Sequence, residues 1–428
     1  MSVEHHQTAP ALASRGDVLC AAAGLALAAA VSLGLARFSY ALLLPPMRAD
    51  LGWSYFTAGA MNTVNAAGYL VGALLAPRWL AAFDARRVLL AGGAGAALLL
   101  AAHGALRSDL ALYALRALTG VASAASFVAG GLLAARLAGQ QIAVPGGGVA
   151  SDGVGERAHH GADDKAGAHV SPGLVLGLYY GGTGIGIVLA ALLAPPWFNA
   201  DSRGWPWAWL AIAVACALAT AFTARSTRAL AAPPTGSAQR LPFQHAPFAF
   251  GLLGYLLFGL GYIGYMTFIV TLLREQGASA STIVMFYTLL GLCVVGSSWL
   301  WAGLLQRCRG GQALALLNAL LALATLLPVL SAHPLAVFAS GALFGAVFLS
   351  VVAATTALVR HNLPAAAWPS GIAAFTIVFA AGQIAGPSLV GLVADGAGGL
   401  LRGLGYSAGS LALGAVVALL QAPVRRGV

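Results

Sequence analysis

The stretch VLCAAAGLALAAAVSLGLARFSYALLL (18–44) carries a single charge, Arg37, and nothing that breaks a helix more strongly than glycine. A helix needs about 20 apolar residues to cross a roughly 30 Å hydrocarbon core, so this segment is long enough to span a bilayer. It starts after Asp17, has no basic leading region, and ends at Pro45-Pro46 rather than at a small-residue cleavage site. It is therefore expected to be a retained first membrane helix and not a cleavable signal peptide.

Eleven further stretches of that length, free of Asp, Glu and Lys, lie downstream at about 58–80, 88–106, 110–136, 173–195, 206–224, 247–272, 282–304, 312–330, 334–359, 370–394 and 404–422. Composition agrees: 60% of the residues are hydrophobic and 8% charged, with a mean hydropathy of +0.85, which excludes a soluble globular domain. Runs of this length are about twice what a membrane β-strand needs, so the spans are helices. The 55 glycines suit helices that pack through small residues. The fold class is all-α and polytopic, with twelve transmembrane helices.

The net charge is +10, which in a soluble chain would suggest nucleic acid. Its distribution does not. With a cytoplasmic N-terminus, Arg15, Arg78, Arg86, Arg87, Arg136, Arg157, Lys165, Arg225, Arg228, Arg240, Arg307, Arg309, Arg360, Arg425 and Arg426 fall inside. Only Arg48, Arg107, Arg203, Arg274 and Arg402 fall outside. That asymmetry is the positive-inside rule, so the basic balance sets topology and both termini are expected in the cytoplasm. Cys20, Cys216, Cys293 and Cys308 offer no extracellular pair for a disulfide.

Shifted by 225 residues against itself, the chain aligns Gly34 with Gly259, Tyr40 with Tyr265, Asp50 with Glu275, Gly52 with Gly277, Ser54 with Ser279 and Gly120 with Gly345. The shared register over separate helices predicts two pseudo-symmetric six-helix bundles. The expected organisation is a cytoplasmic tail at 1–17, a first bundle at 18–224, a cytoplasmic linker at 225–246 containing AAPPTGS, a second bundle at 247–422 and a tail at 423–428. A polar insertion at 138–172 interrupts the first bundle. Its His159, His160, Asp163, Asp164 and His169 have no fixed ligand spacing on a Gly-rich loop and read as a solvated linker, so no metal is expected.

Five segments carry a resemblance to a known family. GALLAPRWLAAFDARRVLL (72–90) and RALTGVASA (116–124) resemble two signatures of the major facilitator superfamily, although Ala81 and Asp84 stand where that family usually has an acidic residue and a Gly. ARFSYALLLPPMRADLGWS (36–54), YLLFGLGYIGYMTFIVTLLREQGAS (255–279) and GQIAGPSLVGLVAD (382–395) are similar to its YbfB/YjiJ-like branch. The resemblance spans nearly the whole chain outside 138–172. It implies the major facilitator fold and a secondary transporter of the bacterial inner membrane working by alternating access. It also implies a gating role for the loop residues Asp84, Arg86 and Arg87.

The candidate substrate-binding residues come from what a bilayer penalises. Arg37 and Arg116 are the formal charges well inside predicted spans. A charge there costs at least about 2.5–3.5 kcal/mol, so each faces a cavity or a partner, or else satisfies backbone carbonyls or snorkels outward. No Asp or Glu lies in a span interior; Asp17, Asp50, Asp109, Glu275 and Asp395 fall at ends. A carrier of organic cations would present a buried acid, whereas unpaired arginines suit a carboxylate or phosphate. An anionic small molecule is thus the expected substrate, and a co-transported proton would ride on it or on an acid at a helix end. Helical spacing places Tyr40 on the face of Arg37, groups Asn62, Asn65 and Tyr69, groups Tyr255, Tyr262 and Tyr265, and aligns Phe375, Phe379 and Gln383. The self-alignment sets Arg37 against Tyr262 and Arg116 against Gly341, so buried charge belongs to the first half alone. A monomer without cofactors is expected. Export of amphipathic or drug-like compounds through the same fold is the competing reading. A membrane enzyme is disfavoured because His103, His333 and His361 stand isolated and no triad spacing recurs.

Overall fold

The computed structural model describes residues 14–141, 170–194, 202–230 and 241–424. Every regular element among these is helical, and twelve helices are long: α1 (Arg15–Leu51), α2 (Tyr55–Ala82), α3 (Ala85–His103), α4 (Asp109–Gln140), α5 (Pro172–Leu193), α6 (Trp205–Ser226), α7 (Ala249–Glu275), α8 (Ala280–Arg307, broken at Trp301), α9 (Gln312–Leu330), α10 (Pro334–Asn362), α11 (Trp368–Ala394) and α12 (Gly399–Leu419). Eleven are long and apolar enough to cross a membrane. The other, α2, has 28 residues and so reaches roughly 42 Å. It is more polar because Asn62 and Asn65 sit on its buried face. Leu98, Leu110, Leu330 and Leu335 are exposed on the outside of the bundle, where lipid is their natural solvent.

The residues flagged by the 225-residue shift do equivalent jobs. Gly52 and Gly277 end α1 and α7 in the left-handed region, at φ 67° and 84°, which glycine alone enters without a Cβ clash. Two residues on, Ser54 and Ser279 cap α2 and α8 by accepting from the backbone N–H of Thr57 and Thr282. A Cβ on Gly120 would fall 2.2 Å from the Asn65 carbonyl oxygen and one on Gly345 2.3 Å from that of Leu290. Asn65 and Leu290 are themselves 225 apart, so the same glycine brings α4 onto α2 in one half and α10 onto α8 in the other.

Within each half the helices pack as α2 on α4, α3 on α4 and α6, and α1 on α5, against α7 on α11 and α12, α8 on α10, and α9 on α10 and α12. The halves meet through α2 on α11 and α5 on α8, two contacts that the repeat interchanges. The C-terminal part of α1 also lies on α7. Successive helices alternate in direction, so the start of α1 and the end of α12 lie at one face of the bundle, here the terminal face, and the α1–α2 and α11–α12 connections lie at the far face.

Two expectations need correction. The first helix does not end at Pro45-Pro46 but continues to Leu51. The prolines remove only two donors, and the helix stops where Gly52 supplies a left-handed cap. Residues 30–38 are π-helical, with the Ser39 N–H donating five residues back to Gly34. The wider turn separates Arg37 from Tyr40, which the α-helical count had put on one face. Most of the 1–17 tail, of the 138–172 insertion, including His159, His160, Asp163, Asp164 and His169, and of the 423–428 tail, together with 231–240 of the 225–246 linker, lies outside the described residues.

Candidate functional site

Arg37 leaves the π-helical stretch of α1 between the two halves, 4% exposed. Its Nη2 donates to Gln383 Oε1 on α11 at 3.0 Å, and the Gln383 amide donates in turn to the Tyr262 hydroxyl on α7. The guanidinium carbon lies 5.5 Å from the centre of the Tyr69 ring. Its Nε is buried without a partner, and Arg37 forms no ion pair among the described residues. A buried guanidinium with a donor unused is an energetic deficit that a bound acceptor would remove.

Beside it the second half presents a bank of nearly parallel rings. Tyr262 stacks on Phe258 at 4.7 Å and 16°, and on Phe379 at 5.6 Å and 18°; Tyr255 stacks on Phe379 at 4.7 Å and 12°. Phe348 faces Tyr262 at 6.0 Å and 12°. The rings come from α7, α10 and α11, and Phe379 and Gln383 share a face of α11 one turn apart, as their spacing predicts.

Arg116 has a different role. It is buried, so it does not snorkel, and its donors are occupied by Met61 O at 3.4 Å, Ala36 O at 3.3 Å and Asn62 Oδ1 at 3.2 Å. Its guanidinium also lies over the Tyr40 ring at 4.5 Å. The Asn62 amide then donates to Thr267 Oγ1 on α7 at 2.7 Å, which carries the network into the other half. Asn65 bonds to the Arg116 carbonyl and Tyr40 to the Ala58 carbonyl, both within the first half. Tyr265 points away from this group: its hydroxyl pairs with Ser340 at 2.7 Å and its ring stacks on Phe344. The structure thus brings Arg37, Tyr69, Tyr262 and Gln383 together, places Asn62, Asn65, Tyr40 and Arg116 in a supporting network, and leaves Tyr265 apart.

Of the loop residues, Asp84 caps α3 by accepting from the N–H of Arg86 and Arg87. Arg86 reaches the Ala224 carbonyl at 2.5 Å and Thr227 Oγ1 at 3.3 Å, which pins α3 to the end of α6 in the same half. Several contacts cross between the halves at the far face. Asp395, at the end of α11, accepts from the N–H of Tyr55 at 2.8 Å and of Phe56 at 2.9 Å, the first turn of α2. The Tyr55 hydroxyl donates to Glu275, Arg48 lies 4.0 Å from Glu275 and 3.7 Å from the Tyr55 ring centre, and Thr63 reaches Ile384 O and Ser388 at 2.7 and 2.8 Å. The far face is closed. Sequence reading had marked Asp395 and Glu275 only as acids at helix ends and had passed over Tyr55, Thr63 and Thr267. Nothing local marks such residues, because each finds its partner 205 to 340 positions away.

Twelve helices in two six-helix halves, joined through α2–α11 and α5–α8 around a buried polar group, define a membrane transporter of the major facilitator superfamily. The chain matches the family described as "Uncharacterised MFS-type transporter YbfB" over residues 29–155 and 165–419, and it belongs to that family. The match runs through most of the 138–172 insertion, leaving only 156–164 between its two segments. No curated protein matches the sequence. Among solved structures, a mutant of the nucleoside transporter NupG is similar at a TM-score of 0.67 and 13% identity, over 93% of this chain and 99% of that one. A bacterial homologue of the human lysosomal transporter Spinster, inward-facing and unoccupied, is similar at 0.65 and 12%, over 95% and 96%. Its occupied form gives 0.67 and 14%, over 93% and 95%. At these identities the likeness concerns the fold.

Proposed function

We propose that this chain carries a small organic anion, a carboxylate with a flat apolar body, across the bacterial cytoplasmic membrane by rocking its halves about Arg37. The observation that carries the reading is the Arg37 guanidinium: buried between the halves, anchored to the opposite half through Gln383, with Nε unpartnered and no carboxylate paired with it among the described residues. A carboxylate is the acceptor whose geometry matches a guanidinium fork. Tyr69, Tyr262 and Phe379 supply faces for the organic part. Because Gln383 moves with the second half, an anion that displaces or shares it reads the relation between the halves, which is what a carrier needs in order to couple binding to rocking. The termini are cytoplasmic and the working unit is a monomer. Asp84, Arg86 and Arg87 act at the cytoplasmic face, and any coupled proton enters on the substrate or through an acid at a helix end.

The test has two stages. A thermal-shift screen of purified protein against carboxylates, nucleosides, sugars, amino acids and cationic dyes identifies a ligand, since a specific ligand stabilises the state that it binds. Uptake of that ligand into proteoliposomes is then measured for the wild type, Arg37→Lys and Arg37→Gln. A neutral or cationic ligand whose transport ignores both substitutions defeats the anion reading. The extended aromatic bank favours a second reading, efflux of amphipathic compounds, which predicts a broad ligand set that tolerates loss of Arg37.

A further inference from the structure

On the terminal face, well away from Arg37, a cavity of about 440 Å³ is lined by Arg309, Arg360, His361, Asn362, Pro423 and Val424. Three pieces of chain build it: the α8–α9 connection, the last turn of α10 and the segment that follows α12. Asn362, buried at 8% exposure, locks them together. Its amide nitrogen donates to the Arg309 carbonyl at 2.8 Å and to the Leu358 carbonyl at 2.7 Å, while its oxygen accepts from the Val424 N–H at 2.7 Å. The Gly311 N–H donates to Gln421 O at 2.8 Å, a second tie between the same two loops. His361 Nδ1 is 3.0 Å from Cys308 O; a carbonyl only accepts, so that nitrogen carries the hydrogen.

Among the described residues, the charged groups at this cavity are of one sign. Arg309 and Arg360 have no ion pair among the described residues, and no acid lines the cavity. The Arg360 guanidinium rests over the Trp368 indole at 4.6 Å, a placement that holds it without neutralising it. The helix dipole accounts for Arg360 and His361 at the end of α10, and the positive-inside rule for basic loops in general. Neither accounts for a preformed, hydrogen-bonded hollow into which Arg309 is brought from a different segment. Trp299 and Leu300, at the end of α8 leading into the same connection, are exposed apolar side chains, as expected of chain at a lipid boundary.

We propose that this cavity is a binding site for a phosphate group, presented by an anionic phospholipid headgroup of the adjoining leaflet or by a free phosphate, with Arg309 and Arg360 as its charge-assisted donors. The full-length protein is examined by native mass spectrometry and thermal shift with cardiolipin, phosphatidylglycerol, phosphatidylcholine or inorganic phosphate, beside an Arg309→Gln/Arg360→Gln variant and the corresponding double Lys variant. Retention of cardiolipin or phosphatidylglycerol over phosphatidylcholine, with affinity lowered about tenfold or more by the Gln pair and partly kept by the Lys pair, supports a lipid site. Stabilisation by inorganic phosphate alone, lost in the Gln pair, supports a free-phosphate site. The proposal is overturned if neither ligand binds the wild type or if the Gln pair binds like the wild type. Should the double variant not fold, Arg309→Gln alone, on an exposed side chain, carries the same comparison. Transport is not read in this experiment, so its result is independent of the substrate assignment.

Discussion

Arg37 on α1 and Gln383 on α11 are 346 residues apart in sequence, and a 3.0 Å hydrogen bond joins them across the two halves of the molecule. The bond ties a buried, incompletely satisfied charge to an amide that travels with the other half. A change in the relation between the halves therefore changes the environment of the charge, and occupancy of the charge bears on the relation between the halves.

Replacing Arg37 with Gln removes a charge-assisted fork. The expected loss of affinity for an identified carboxylate is about 10- to 100-fold, from roughly 1.5–3 kcal/mol per hydrogen bond to a charged group. Arg37→Lys keeps the charge but not the planar fork and should fall between Gln and wild type. Titration calorimetry with the ligand found by screening decides the order; equal affinities in all three proteins would remove Arg37 from the site.

Arg116 behaves as a structural residue. Its donors satisfy Met61 O, Ala36 O and Asn62 Oδ1, so Arg116→Gln is expected to destabilise the protein by about 3 kcal/mol, ligand or no ligand, because buried acceptors are left unpaired. The check is thermal unfolding in detergent with and without ligand. An unchanged melting temperature accompanied by lost binding would make Arg116 a ligand contact instead.

Asp395 holds the far face shut by capping α2 from the opposite half. A cap is worth about 1 kcal/mol, so Asp395→Ala is expected to shift the balance toward the state open at the far face about fivefold. Labelling a cysteine placed at Ser388, in a background lacking the four native cysteines, with an impermeant thiol reagent measures this. A labelling rate unaffected by the Asp395 change would mean that closure rests on the packing of α2 against α11 alone.

The repeat makes a paired prediction. Gly120→Val and Gly345→Val should each lower stability by roughly 1–3 kcal/mol or more, since their Cβ atoms fall 2.2 and 2.3 Å from a backbone oxygen of the facing helix. Gly405→Ala, where nothing lies within 4 Å, should be neutral or gain up to about 1 kcal/mol from helix propensity. Fluorescence-monitored size exclusion after heating ranks the three, and a tolerated valine at either crossing would break the equivalence of the halves.

Much of this was legible in the chain itself. Hydropathy placed twelve spans, since lipid forbids any unpaired backbone and leaves long helices as the solution for this composition. The 225-residue shift identified Gly52 and Gly277, Ser54 and Ser279, and Gly120 and Gly345 as matched devices, because turns, caps and close crossings are local demands on particular residue types. The rarity of charge within spans picked out Arg37 and Arg116.

What separated those two arginines lay beyond the sequence. Both are buried, yet one is saturated by carbonyls of α1 and α2 and the other keeps a free donor beside Gln383; that depends on which helices cross where, and on a π-helical turn that no residue pattern announced. The same holds for Tyr262 and Tyr265, three residues apart on α7, one turned to Gln383 and the other to Ser340. Periodicity determined that these residues are buried, because transfer into lipid is a property of each side chain. Only tertiary structure decided what each is buried against, because a hydrogen bond depends on geometry between helices that the chain brings together over hundreds of residues.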